Sequence, residues 1–134
     1  MIVVDTNVIC YRWMPSPHSN EADAAWRLDP EWIVPLLWRS EFRNVLAGAL
    51  RHRFLAIEAA LEIAEQAETQ LSAHEFLVSS HAVLRLVASS RRSAYDCEFV
   101  ALAQEQHVPL VTVDRQVIRQ FPDVAMALEK FVRR

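Results

Sequence analysis

The sequence predicts an α/β fold, a parallel sheet covered on both faces by helices, and three observations carry that prediction. Short apolar runs, Ile2-Val-Val4, Trp32-Ile-Val34 and Leu110-Val-Thr-Val113, alternate with longer helical segments. Each run is continuous rather than alternating, the pattern of a strand buried on both faces. Two of them stop at a carboxylate, Asp5 and Asp114, and ligands of open α/β sheets bind at the carboxyl ends of the strands. At 134 residues, 52% of them apolar, the chain can bury one core, and 1–134 is read as a single domain.

The elements follow in order. Thr6 to Trp13 forms a short helix, ended by Met14-Pro-Ser-Pro17. His18 to Asn20 reads as a loop, with Asn20 capping a helix from Glu21 to Leu28 that Asp29-Pro30 breaks. After the Trp32–Val34 strand, Pro35 fits the first position of a helix running to about His52. A further helix, about Ala56 to Leu71, places Ile57, Ala60, Leu61, Ala64, Ala67 and Leu71 on one face. His74 to Val78 is a candidate third strand, Ser80 to Ala88 a helix, and Ser89 to Ser93 a polar loop. Ala94 to Gln106 is a strong helix, Pro109 to Val113 a strand, and Arg115 to Gln120 a short helix. Val124 to Met126 forms a last edge strand before a helical tail.

Composition excludes several function classes. The only glycine is Gly48, so no glycine-rich phosphate loop exists. Two cysteines, Cys10 and Cys97, build neither a disulfide scaffold nor a thiolate metal site, and both read as small core residues. No apolar run approaches the ~18 residues of a membrane span, and Asp5 interrupts the N-terminal run as no signal peptide would allow. A cytoplasmic protein without a membrane partner is expected. The net charge of −3 argues against gripping nucleic acid by charge alone. It leaves room for an acidic site whose bound cation reverses the local field. The basic residues are arginines, with Lys130 the sole lysine, and arginine favours bidentate phosphate contacts.

Four acids occupy informative positions. Parallel strands bring Asp5 and Asp114 to one sheet edge, although either could simply cap the helix that follows it. Glu41 borders the apolar stripe made by Leu37, Trp38 and Val45, where a carboxylate needs compensation. An ion pair with Arg43 or Arg12 would supply it. Asp96 shares a helix face with Phe99, Val100 and Ala103, and Ser93-Ala-Tyr-Asp96 has capping-box spacing. Together the four suggest a divalent-cation site, with oxygen ligands favouring Mg²⁺ or Mn²⁺. Metal chemistry on a phosphodiester is the corresponding reaction class. The loop Arg91-Arg92 ahead of the Asp96 helix, together with Arg115, is a candidate phosphate contact. Trp13, Trp26, Trp32 and Trp38 read as core or interface anchors, with base stacking the sharper alternative.

With these residues in hand, the chain resembles PIN-domain ribonucleases, in particular the VapC-type toxins of bacterial toxin–antitoxin pairs. The resemblance rests on Ile2-Val-Val-Asp-Thr-Asn7, on Val34-Pro35 leading to Ser40-Glu41, on Ser93-Ala-Tyr-Asp-Cys-Glu-Phe-Val-Ala-Leu-Ala103, and on Pro109-Leu-Val-Thr-Val-Asp114. The order and spacing of the four blocks match across nearly the whole chain. The resemblance implies a three-layer α/β/α sandwich with four to five parallel strands and a metal-dependent endoribonuclease activity. It implies catalytic and metal-holding roles for Asp5, Glu41, Asp96 and Asp114, supported by Asn7 and Thr112. One or two Mg²⁺ or Mn²⁺ ions, an RNA substrate, a VapB-like antitoxin and a homodimer are implied as well. Gln116-Val117 stand where many relatives carry a further acid, which bears on the second ion. Alternatives within the family are an RNA-processing nuclease and a non-catalytic binding module. A phospho-accepting receiver is disfavoured because Thr6, not an acid, follows Asp5 and Lys130 is far in the tail. A haloacid-dehalogenase-like phosphatase is disfavoured because Asn7 stands where a second Asp is needed.

Overall fold

The computed structural model describes all residues, 1–134. Five parallel strands form the sheet: β1 (Ile2–Val4), β2 (Trp32–Pro35), β3 (Glu75–Phe76), β4 (Leu110–Thr112) and β5 (Ala125–Ala127). Their spatial order is β3-β2-β1-β4-β5, which makes β1 the central strand. Ile2, Val3 and Val4 are buried, as are Trp32, Ile33, Val34, Leu110 and Val111. A strand with helices on both faces has no solvated side, so it carries no polar alternation.

The helices are α1 (Thr6–Trp13), α2 (Ser19–Leu28), α3 (Trp38–Arg51), α4 (Ile57–Leu71), α5 (Ser80–Ala88), α6 (Ala94–Gln106), α7 (Arg115–Gln120) and α8 (Leu128–Val132). A 3₁₀ turn, Ser72–His74, leads into β3. One core cluster joins the strands to Val8, Ile9, Trp38, Phe42, Leu71, Val100 and Leu102. Trp13, Trp26 and Trp32 pack edge to face with centroids 5.0–6.0 Å apart, an arrangement that aromatic quadrupoles favour. Trp32 and Trp38 are fully buried, and both cysteines are buried and unpaired. No helix is long and apolar enough to cross a membrane.

Two boundaries and one helix face differ from the sequence reading. Pro35 does not open α3 but ends β2, opposite Phe76 of β3, and Leu36 donates its N–H to the Phe76 carbonyl. Pairing with β3 holds the chain extended for one more residue, and the helix starts at Trp38. Helix α2 begins at Ser19, so Asn20 lies inside its first turn instead of capping it. Ser16 Oγ accepts the His18 N–H and shapes that entry turn. In α4, Ala60, Ala67 and Leu71 are buried, whereas Ile57 and Leu61 are 51% and 62% exposed. The apolar stripe is wider than the face the core covers.

Candidate active site

β1 and β4 are neighbours, and the chain order reverses between them, which opens a crevice at their carboxyl ends. A cavity of about 250 Å³ lies there, lined by Asp5, Thr6, Asn7, Glu41, Asn44, Asp96, Thr112 and Asp114. Apolar side chains, among them Val45, Phe99 and Val117, complete the wall. All four acids singled out from the sequence, and both supporting residues, thus line one space.

Each acid is held by its own element. Asp5 follows β1 directly and caps α1, its Oδ1 accepting the Val8 N–H at 3.1 Å. Thr112 Oγ1 donates to Asp5 Oδ2 and accepts the Asp114 N–H at 3.0 Å, tying the ends of β1 and β4 together. Asp114 caps α7 through a single oxygen, Oδ1, which accepts the N–H groups of Gln116 (2.9 Å) and Val117 (3.2 Å). Ser93 Oγ caps α6 by accepting the Asp96 N–H at 3.1 Å. This is half of a capping box: the Asp96 carboxylate does not close the other half but pairs with Arg92 Nε at 3.2 Å. Glu41 has neither of the expected cationic partners. Arg43 pairs with Glu68 and Arg12 with Asp23, while Thr6 Oγ1 donates to Glu41 Oε1 at 2.7 Å.

The cavity disfavours negative charge. Burial pushes the Asp5 carboxyl up to about 6, against the lowering effect of the Thr112 and Val8 hydrogen bonds, with Asp114 and Glu41 adding repulsion. Burial also raises Glu41, which feels the Asp96 charge, and Asp96, where Arg92 partly offsets the shift. A cation among these groups would relieve both desolvation and repulsion. The donor set is oxygen only, which fits a hard divalent ion. The acids share the cavity without forming a preformed cage, since no three His, Cys, Asp or Glu side chains are gathered as a metal-binding cluster.

Two lining residues were not singled out from the sequence. Thr6 compensates Glu41, and its signal was only that it directly follows Asp5. Asn44 stands three residues after Glu41 on α3, the spacing that places two side chains on one helix face. Of the arginines, Arg92 reaches Asp96 and also Gln116 Oε1. Arg91 and Arg115 are exposed and line separate clefts nearby.

The fold is similar to three solved structures. PAE2754 from Pyrobaculum aerophilum superposes with a TM-score of 0.77 at 17% identity, covering 98% of this chain and 85% of that one. FitAcB from Neisseria gonorrhoeae gives 0.74 at 15% identity, over 96% and 99%. A toxin–antitoxin complex from Klebsiella pneumoniae gives 0.69 at 18% identity, over 94% and 97%. No curated protein matches the sequence. The PIN domain family model matches residues 2–124, a span that holds every acid of the cavity, and the chain belongs to the PIN domain family.

Proposed function

We propose that this PIN domain is a divalent-metal-dependent endoribonuclease and the toxin of a toxin–antitoxin pair. The observation that carries the activity is the convergence of Asp5, Glu41, Asp96 and Asp114 on one cavity at the carboxyl edge of the sheet. PIN domains are generally nucleases. Among structurally similar proteins, one is described as a toxin–antitoxin complex and another as FitAB bound to a DNA fragment, which supports an antitoxin partner here.

Asp5 and Asp96 are the first choices to hold Mg²⁺ or Mn²⁺ directly, with Asp114 and Glu41 completing the shell of one or two ions. Such an ion, when bound, supplies the Lewis acidity for phosphodiester hydrolysis. The protein's own contribution is positional. Thr112 fixes Asp5 and the backbone of Asp114 together, Thr6 fixes Glu41, and Asn7 faces the same cavity. The apolar wall of Val45, Phe99, Leu110 and Val117 lowers the local dielectric, which strengthens charge interactions with an ion and a phosphate. Arg91, Arg92 and Arg115 stand around the cavity as RNA contacts. A cytoplasmic homodimer is part of the proposal, and the exposed apolar Phe54, Ile57 and Leu61 are of the kind a partner surface covers.

Purified protein incubated with single-stranded RNAs and Mg²⁺ or Mn²⁺ should cleave them, and chelator should stop it. Asp5→Asn and Asp96→Asn should each abolish cleavage with the far-UV spectrum unchanged. Full activity in either variant would refute the assignment.

A further inference from the structure

A second cleft, of about 380 Å³, opens beside the acidic cavity and is lined by Arg91, Arg92, Gln116, Arg119 and Gln120 alone. No apolar side chain contributes to it. It lies between the loop ahead of α6 and the outward flank of α7, and its wall is tied across that gap. The Arg91 N–H donates to Gln120 Oε1 at 2.7 Å, and the Arg92 guanidinium donates to Gln116 Oε1. Arg91 and Arg119 are exposed and have no carboxylate within ion-pair distance. In a chain of net charge −3 they form a local exception.

Two links join this cleft to the acids. Arg92 lines the cleft and reaches an acid of the cavity, its Nε against Asp96 and its Nη1 donating to Gln116. Helix α7 does the same, because Asp114 and Val117 face the acidic cavity while Gln116, Arg119 and Gln120 face the cleft. Arg91 and Arg119, arginines without a neighbouring acid, match phosphate oxygens in geometry and charge. Such contacts fix the register of a nucleic acid while reading no base.

We infer that this cleft is a phosphate subsite for the RNA backbone, in which Arg91 and Arg119 hold a phosphate next to the one at the acids and so set how the strand crosses the cavity. The inference rests on the nuclease reading and deepens it. Arg92 is a positioning residue between the two spaces, and Gln116 and Gln120 brace the arginines.

Binding separates the two readings. The Asp5→Asn protein, which should not cut, is titrated with fluorescent single-stranded RNAs of several sequences in chelator, over about 50 to 200 mM salt. Adding Arg119→Ala or Arg91→Ala should weaken binding of every RNA alike and flatten the slope of log K against log salt by about 0.7 each. Arg119→Lys should restore the slope. Arg133→Ala in the tail should leave it unchanged, and the melting temperature should hold throughout, which a merely structural role would not produce. Unchanged slopes, or RNAs that do not bind the parent protein at all, overturn the subsite. Unchanged slopes with intact metal-dependent cleavage by the unsubstituted chain leave the nuclease reading standing alone. Flattened slopes with no cleavage under any divalent ion leave the subsite and sink the nuclease.

Discussion

Replacing Asp5 by asparagine should stabilise the protein while it removes activity, and the size of the effect follows from the cavity. Burial raises the Asp5 carboxyl from 3.8 to about 6. Between those values the folded state holds a proton that the unfolded chain has released. Folding stability from this group is therefore full below 3.8 and lost as pH rises through about 6. The loss above that range amounts to about 3 kcal/mol. Asparagine has no charge to desolvate, and its oxygen can still cap α1 by accepting the Val8 N–H. It cannot accept the Thr112 hydroxyl proton in the same way, which costs about 1 kcal/mol. The net gain is about 2 kcal/mol near pH 8. It turns into a small loss, at most about 1 kcal/mol, near pH 4, where both side chains are neutral in the fold and only the missing Thr112 hydrogen bond separates them. Urea denaturation in chelator at the two pH values measures it. Saturating Mn²⁺ should then close the gap from the other side, because a ligand bound only to the folded state at about 100 times its Kd adds about 2.7 kcal/mol to the parent protein. An asparagine variant that is less stable by the same amount at both pH values would refute the account of Asp5 as an uncompensated buried charge.

Three further outcomes follow from single contacts. Thr112→Val removes the hydrogen bond that most lowers the Asp5 carboxyl, so its titration, followed by NMR, should move above 6; an unmoved titration would show that Thr112 does not donate to it. Gly48→Ala, in a helix where a Cβ meets nothing within 4 Å, should raise stability by about 1 kcal/mol, read as a shifted denaturant midpoint. Glu75 accepts from Trp38 Nε1 at 2.8 Å and Arg39 Nε at 2.6 Å, with a side chain only 10% exposed. Glu75→Gln should cost about 1–3 kcal/mol at neutral pH. Arg39 lowers the Glu75 pKa, so that difference should shrink as pH falls through the depressed value, and a difference constant with pH would discount the ion pair.

The sheet and the acids were legible because burial on both faces leaves a strong trace. Ile2-Val-Val4 and Leu110-Val-Thr112 have no polar alternation, and a carboxylate ends or soon follows each. What escaped depended on contacts distant in sequence. Pro35 is strand rather than helix only because Phe76, 41 positions later, pairs with it. Asn20 has good capping chemistry, but the turn made by Ser16 starts α2 two residues earlier than Glu21. Glu41 looked as though it needed a cation, and local arginines were the visible candidates. Its actual partner is Thr6, 35 positions away and brought near by α1 packing against α3. Ile57 and Leu61 fit the periodicity of a buried face, yet periodicity cannot tell how much of an apolar stripe the core will cover.

Capping and ligation were competing readings for Asp5 and Asp114, and the geometry makes them compatible. Each carboxylate has two oxygens. Asp114 gives both capping bonds to Oδ1, which leaves Oδ2 directed by the cap but not engaged by it. Asp5 caps with Oδ1 and takes the Thr112 hydroxyl on Oδ2. An acid placed between a strand end and a helix start is thus fixed through one oxygen by backbone that must be satisfied in any case. The second oxygen is held at the sheet edge, where strand order opens a crevice. Asp96 differs, because Ser93 does the capping and frees the whole carboxylate for Arg92 or for an ion. On this reasoning Asp96 is the acid with the least structural duty. Asp96→Asn should then change the melting temperature less than Asp5→Asn does near pH 8, while removing cleavage as completely. A melting-temperature change at Asp96 that exceeded the one at Asp5 would overturn that division of labour.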